Sequence, residues 1–161
     1  MQNKILIAVD QSENAMKAVE YAAGILGKNA HVTLFHVFYK APPEEIEKDE
    51  FLMQNHHVLF KERIDELRAW LEKKRKSIEG VLEKAKGILV AAGIDEKNIR
   101  IRIQERTESE ARDILRELKE GGYGTVVVGR RGLSGARGFF SGSVSSKIVH
   151  HAENCAVWVV E

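Results

Sequence analysis

Four short runs of apolar residues constrain the fold more strongly than any other feature of the chain. They are KILIAVD (4–10), VTLFHVF (32–38), TVVVG (125–129) and CAVWVV (155–160). Nearly continuous apolar runs of this length are typical of strands that are covered on both faces in a parallel sheet. A fifth segment, IRIRIQE (99–105), instead alternates isoleucine with arginine or glutamine, so we expect one wet face, as at a sheet edge.

Helical patterns lie between the predicted strands. Apolar residues recur at helical spacing after the first run, with Ser12 as a candidate N-cap and Gly27 as a stop. Thr107 and Glu110 form a possible capping box for a second helix, which would stop at Gly121 and Gly122. Val144, Ile148 and Ala152 mark the last helix. The β-α-β alternation predicts an open five-stranded parallel sheet in a three-layer α/β/α sandwich, a Rossmann-like fold, formed by residues 1–161 as a single domain.

The middle of the chain is less regular. Residues 39–60 include both prolines and many charges, and we interpret them as an exposed loop or insertion that either covers the ligand or projects away from it. Residues 56–93 follow a helical pattern longer than a small sheet requires. We therefore expect either a bend or break, or an end that projects past the sheet. The basic run KKRK (73–76) is interpreted as a solvated helix face.

Composition excludes several classes of protein. Apolar residues make up 43% and charged residues 30%, as in ordinary globular proteins, and a net charge of +1 gives no general attraction to nucleic acid or anionic lipid. The aromatic residues, including Trp70 and Trp158, are interpreted as packing residues rather than base-stacking platforms. Cys155, the single cysteine, cannot form an internal disulfide, and no apolar run approaches the length of a membrane span. These features favour a cytoplasmic protein with no nucleic-acid or membrane partner.

The candidate ligand site lies where the strands end. In open parallel sheets ligands bind beyond the carboxyl ends of the strands, which here carry Asp10, Val37 and Gly129. The segment GRRGLSGARGFFSGSVSSK (129–147) then combines glycines, serines and arginines. Its final residues begin a helix, where unpaired backbone N–H groups favour an anion. A phosphate cradle is therefore predicted from these residues: Gly129, Arg130, Arg131, Gly132, Arg137, Gly142, Ser143, Val144 and Ser145.

Standard nucleotide motifs do not fit this segment. Neither G-x-x-x-x-G-K-[ST] nor G-x-G-x-x-G occurs in it. It contains instead G-x2-G-x9-G-S, formed by Gly129, Gly132, Gly142 and Ser143. With this spacing, and with ILIAVDQSENA in the first strand and VTLFHV in the second, the sequence resembles the ATP-binding branch of the universal stress protein family.

The resemblance implies strand order 3-2-1-4-5 and a bound adenine nucleotide, ATP or else ADP or AMP. By matched position Ala8, Val9 and Val37 would contact the adenine, Val128 would lie beside the sugar, and Asp10 near the ribose and phosphates. Mg²⁺ or Mn²⁺ would bridge the phosphate oxygens without a direct protein ligand, with a contact from Asp10 as the alternative. One departure is ERTESE (105–110), which lacks the glycine that family members place near the end of the third strand.

The leading hypothesis is a nucleotide-dependent regulatory module in the stress response with little or no hydrolysis, acting on an unidentified protein partner. The alternatives are a slow ATP hydrolase or phosphoryl-transfer enzyme, and an interaction protein without nucleotide. The resemblance also implies a homodimer that pairs through the free edge of strand 155–160.

Some residues keep a second interpretation. Asp10 could cap the first helix, Arg130 and Arg131 could serve solubility only, and His36 fits a core histidine better than a ligand.

Overall fold

The computed structural model describes residues 4–39, 57–130 and 143–161. Its elements, in chain order, are β1 (Lys4–Ala8), α1 (Glu13–Ile25), β2 (His31–Phe38), α2 (His57–Ala91), a 3₁₀ turn (Glu96–Asn98), β3 (Ile99–Glu105), α3 (Glu110–Gly121), β4 (Thr125–Gly129), α4 (Ser143–His151) and β5 (Ala156–Val160). All five predicted strands are present, each within two residues of its predicted bounds.

The strands form one parallel sheet in the order β3-β2-β1-β4-β5, as predicted. In its register Ile7 lies beside Leu34 on one side and beside Val127 on the other. The alternating segment forms β3 at one edge, and its arginines face outward while Ile99 is buried. The solvent-exposed face that the sequence predicted for β3 is explained by the position of this strand at the edge of the sheet.

Two apolar layers sandwich the sheet because successive strand residues point to opposite faces. Ile5 and Ile7 pack with Val127 and Leu34 beneath α1 and α2, whereas Leu6 packs with Phe35 beneath α3 and α4. Complete burial of such a side chain stabilises the fold by about 1.5–3 kcal/mol. The three-layer α/β/α arrangement is confirmed.

Helix α1 begins where the sequence indicated. The hydroxyl of Ser12 accepts a hydrogen bond from the backbone N–H of Ala15, and Gly27 follows the C-cap residue Leu26. Helix α3 ends at Gly121, and its C-cap residue Gly122 adopts the left-handed conformation with φ of 64°.

The predicted capping box of α3 is wrong. Ser109 is the N-cap, and its hydroxyl accepts from the N–H of Arg112. Thr107 instead binds the buried carboxylate of Asp113 through both its hydroxyl, at 2.6 Å, and its backbone N–H, at 2.9 Å. Because Thr107 binds Asp113 and Ser109 caps the helix, the N-cap of α3 lies two residues later than the sequence predicted.

The long helical pattern forms one continuous helix, α2, with no break over its 35 residues. At a rise of 1.5 Å per residue it spans about 50 Å. From Ile64 onward, where its side chains are described, the first buried one is Ile78, followed by Leu82, Ala85 and Leu89. Of the two predicted outcomes, the helix therefore shows a projecting end rather than a break.

Candidate functional site

A cavity of about 380 Å³ opens beyond the carboxyl ends of β1, β2 and β4. β1 pairs with β2 on one side and β4 on the other, so the chain order reverses here, which is where open α/β sheets bind ligands. Its lining comes from all these elements and from four helices: Ala8, Val9, Asp10, Gln11, Ser12, Ala15, Phe35, His36, Val37, Tyr39, Lys74, Ile78, Arg106, Glu110, Ile114, Val128, Gly129, Val144 and Ser145. The volume is in the range of small-molecule sites.

Eight residues predicted from the sequence line this one cavity: Ala8, Val9, Asp10, Val37, Val128, Gly129, Val144 and Ser145. Ser143 is the first residue of α4. Arg130 follows β4, and its guanidinium lies 2.5 Å from the carboxylate of Glu161. The predictions for Arg131, Gly132, Arg137 and Gly142 lie outside the described residues.

The turn between β1 and α1 is organised by Asp10. Its Oδ1 accepts hydrogen bonds from the backbone N–H of Ser12 at 2.9 Å and from the Ser12 hydroxyl at 2.5 Å. Ser12 itself caps the helix. Asp10 therefore supports the cap rather than forming it, and its carboxylate reaches the cavity at the same time.

Gly129 marks a close approach between β4 and α1. A Cβ at this position would lie 2.9 Å from the carbonyl carbon and oxygen of Asn14 and 3.1 Å from the nitrogen of Ala15. The sequence argument assigned this glycine to close approach of a ligand. The structure shows a further reason, which is that the first turn of α1 packs against the end of the strand.

The first turn of α4 faces the cavity through Val144 and Ser145. The hydroxyl of Ser145, which is buried, donates to the carbonyl oxygen of Arg130 at 3.0 Å and so ties the helix to the end of β4. The N-terminal N–H groups of a helix have no intrahelical acceptors, and the helix dipole makes this end electropositive. This corner of the cavity is suited to an anion.

His36 is a buried histidine that also lines the cavity. Its Nδ1 lies 2.7 Å from the carbonyl oxygen of Val9; because a carbonyl only accepts, Nδ1 carries the proton and donates. Burial lowers the pKa of His36 below its ordinary value, although the hydrogen bond to Val9 and the charge of Asp10 oppose this. The neutral ring therefore fixes the backbone that follows β1.

Several polar or charged lining residues were not predicted as site residues, and among them are Tyr39, Lys74, Arg106 and Glu110. Lys74 belongs to the basic run interpreted as a solvated face, yet its Nζ lies 3.2 Å from the carbonyl oxygen of Tyr39. A helical register continued from the buried Ile78 would have placed Lys74, four residues earlier, on the same face.

Glu110 stands at the first position of α3, inside the cavity wall. Burial raises the pKa of its carboxyl group, and the negative charge of Asp10 raises it further, whereas the charge of Arg106 lowers it. The loop that carries these groups is held by Asp113, a fully buried carboxylate bound to Thr107 and Arg116.

Comparison with known proteins identifies the family. The model of the universal stress protein family matches residues 1–161. The chain belongs to the universal stress protein family. It is 30% identical to the universal stress protein YxiE of Bacillus subtilis over 161 residues, with 99% of each chain covered.

Solved structures share the fold of this universal stress protein. Hypothetical protein MJ0577 superposes with a TM-score of 0.73 at 22% identity, covering 99% of this chain and 96% of the other. A universal stress protein in complex with cAMP gives 0.62 at 20% identity, with 98% and 96% covered. A family member from Arabidopsis thaliana with AMP bound gives 0.56 at 20% identity, with 98% and 90% covered.

Two features are absent from the described residues. No helix among them is long and apolar enough to cross a bilayer. Within the same ranges, no three histidine, cysteine or acidic side chains are grouped closely enough to hold a metal ion.

Proposed function

We propose that this universal stress protein binds an adenine nucleotide, ATP, ADP or AMP, in the cavity at the strand ends. The observation that carries the proposal is the convergence of eight sequence-predicted residues on one cavity of about 380 Å³ whose far corner is a helix N-terminus. Relatives of the same fold hold cAMP and AMP, which supports an adenylate as the ligand.

The roles proposed for the lining follow from its chemistry. Ala8, Val9 and Val37 supply apolar surface and backbone groups for the base, and Val128 lies beside the sugar. Asp10 lies where the ribose and phosphates meet. The phosphates take the corner formed by Gly129, Ser143, Val144 and Ser145, with Gly132, Gly142, Arg130 and Arg131 as further contacts expected from the sequence.

A divalent cation would be held mainly by the phosphates. Asp10 is the acidic side chain best placed to touch it, but one of its oxygens already accepts from Ser12. Mg²⁺ commonly binds through one or two carboxylates together with substrate phosphates, so this donor set fits Mg²⁺ or Mn²⁺. The cation would neutralise phosphate charge there.

We propose that the nucleotide acts as a signal for a protein partner in the cytoplasm, with little or no hydrolysis. The sequence lacks the P-loop lysine and offers no evident residue that would position an attacking water. A phosphate-release assay with Mg²⁺ tests this. Recovery of intact ATP is expected, whereas multiple turnovers that are abolished by Asp10→Asn would establish a hydrolase instead.

Binding itself is tested by calorimetric titration of the full chain with ATP and AMP. Gly142→Asp places a negative charge in the phosphate corner and should abolish measurable binding, and Ser143→Ala should weaken it. Ser146→Ala on the same helix is the matched control, since Ser146 does not line the cavity. Unchanged affinity in both site variants would refute the phosphate corner.

We further propose a homodimer that forms through the edge of β5. This edge strand carries Val159, 41% exposed, and lies beside Tyr21 and Ile25, which are 52% and 53% exposed. An unpaired apolar edge favours pairing with a second strand. Light scattering should give twice the 18.1 kDa chain mass, and Val159→Lys should give the monomer, whereas Val149→Lys on α4 should not. A monomeric wild type at micromolar concentration would contradict the proposal.

A further inference from the structure

The β2–β3 side of the cavity carries a stacked pair of side chains. The guanidinium carbon of Arg106 lies 3.8 Å from the centre of the Tyr39 ring, and both residues line the cavity. The backbone fixes the pair at this place, because Tyr39 directly follows β2 and the N–H of Arg106, directly after β3, donates to the carbonyl oxygen of Phe38 at 2.8 Å. An aromatic ring and a planar guanidinium thus form a flat wall beside Val37, which we call the stacking wall.

Lys74 supports the stacking wall from α2. Its Nζ donates to the carbonyl oxygen of Tyr39 at 3.2 Å. The same ammonium group lies 4.8 Å from the centre of the Trp70 ring and 5.6 Å from that of Phe38. These contacts hold the backbone at Tyr39 in place before a ligand arrives, so less conformational entropy is lost on binding.

The stacking wall lies opposite the proposed phosphate corner. The wall is at the ends of β2 and β3, whereas the corner is at β4 and α4. Strand β1 separates β2 from β4, so two strand spacings of about 4.8 Å, or about 10 Å, lie between them. Because the phosphate and the base are opposite ends of a nucleotide, the group that meets the wall is the base. Val9 and Val37 supply apolar surface on the same side of the cavity.

The charges at this end of the cavity also favour a neutral ring. The positive charge of Arg106 already stabilises the carboxylate of Glu110, which lines the cavity too. An anionic group placed here would meet that carboxylate as well as the cation. A base does not compete with Glu110, since stacking uses the face of a guanidinium and not its N–H edge.

From this arrangement we infer that Tyr39 and Arg106 form a stacking wall for the nucleotide base, and that this wall makes the site prefer a purine to a pyrimidine. The inference rests on the proposed function, because the same cavity must hold the nucleotide. Every base has a π-face that stacks on aromatic rings and on arginine, so preference at such a wall follows ring area. Arg106 belongs to ERTESE (105–110), where this sequence departs from its family, so the wall is a property of this chain rather than of the fold.

The test compares AMP, CMP and adenosine on the full chain by calorimetry, with the two weaker ligands measured by displacement of AMP. The wild type should bind AMP about tenfold more tightly than CMP. Arg106→Ala and Tyr39→Leu should each lower AMP affinity about three- to tenfold, the effect of losing one stacking contact. Adenosine should lose the same factor because it carries the same base. CMP should lose less, so the preference for AMP should narrow.

Further variants separate stacking from charge and from folding defects. Arg106→Lys keeps the positive charge but removes the planar group, and it should behave like Arg106→Ala. Tyr39→Phe keeps the ring and should keep both the affinity and the preference. Arg100→Gln removes the same charge from β3 outside the cavity and should change neither.

Each outcome decides between the alternatives. If AMP does not bind, the proposed function is refuted together with this inference. If AMP binds but the wild type binds CMP equally well, or if Arg106→Ala lowers both affinities by the same factor, the stacking wall alone is refuted. A loss for AMP without a loss for adenosine would assign Arg106 to the phosphate and overturn the inference. Wild-type affinity in Arg106→Lys would show that charge suffices, with the same consequence.

Discussion

Replacing Gly129 by alanine tests the link between the fold and the cavity directly. The new methyl group would lie 2.9 Å from the carbonyl carbon and oxygen of Asn14, closer than real Cβ contacts come. The crowded atoms belong to backbone, so no side-chain rotation relieves the contact. Either the end of β4 or the first turn of α1 must move.

The magnitude follows from the cost of overpacking, which is about 1–3 kcal/mol for a methyl group forced into a well-packed site. For a chain of this length each kcal/mol lowers Tm by about 2–4 °C, so Gly129→Ala should lower Tm by roughly 2–12 °C. Because both moving segments line the cavity, AMP affinity should fall as well.

The assay is thermal and urea denaturation followed by circular dichroism, with Gly87→Ala as the matched control. Gly87 lies inside α2, where an added Cβ meets nothing within 4 Å. The same change should there stabilise the protein by about 0.5–1 kcal/mol through helix propensity. If both variants shift stability in the same direction, the contact between β4 and α1 is not the reason for glycine at position 129.

Three further predictions concern buried polar groups. Tyr123→Phe should cost about 1–2 kcal/mol in urea denaturation, because the buried Tyr123 hydroxyl lies 3.0 Å from the Glu117 carboxylate; an unchanged midpoint would contradict this. Asp113→Asn should cost about 1–3 kcal/mol at pH 7, measured in the same way. Burial acts to raise the pKa of Asp113, but hydrogen bonds from Thr107 and the charge of Arg116 outweigh it and lower the pKa, so this stabilisation should be present above about pH 4 and lost as pH falls through the folded pKa. His36 has a folded pKa below its ordinary value near 6.5, so its unfolded form binds the proton first and wild-type stability should fall as pH drops below about 6.5; in His36→Gln the slope should be smaller, and parallel curves would refute this.

Most of the fold was predictable because its signals are local. A strand covered on both faces must be apolar throughout, whereas an edge strand with one solvent-exposed face alternates apolar and polar residues. The hydrophobic pattern alone therefore distinguished β1 from β3. The start of α3 was not predictable from the capping-box pattern. Thr107 had a stronger acceptor in Asp113, six residues away, and only the folded loop brings the two together.

The candidate site also contains both residues that the sequence predicted and residues that it did not. Residues that follow strand ends, such as Asp10 and Val37, were predictable because parallel strands carry their carboxyl ends to one edge. Lys74 was missed because its charge resembles that of Lys76 two positions later. Its helical register with the buried Ile78 distinguishes it, as a cation that enters the cavity, from one that pairs with glutamate in solvent.

This difference bears on how a shared fold acquires a particular ligand preference. The proposed phosphate corner at β4 and α4 would depend on glycines and a helix terminus, so any chain that keeps those features would offer the same corner. The opposite wall is built from side chains of α2 and of the loop after β3, segments whose sequence can change without disturbing the sheet. In this protein that wall carries two cations stacked on aromatic rings. Selectivity among nucleotide bases should therefore change with Arg106, whereas the capacity to bind a nucleotide at all should depend on the glycine-rich corner.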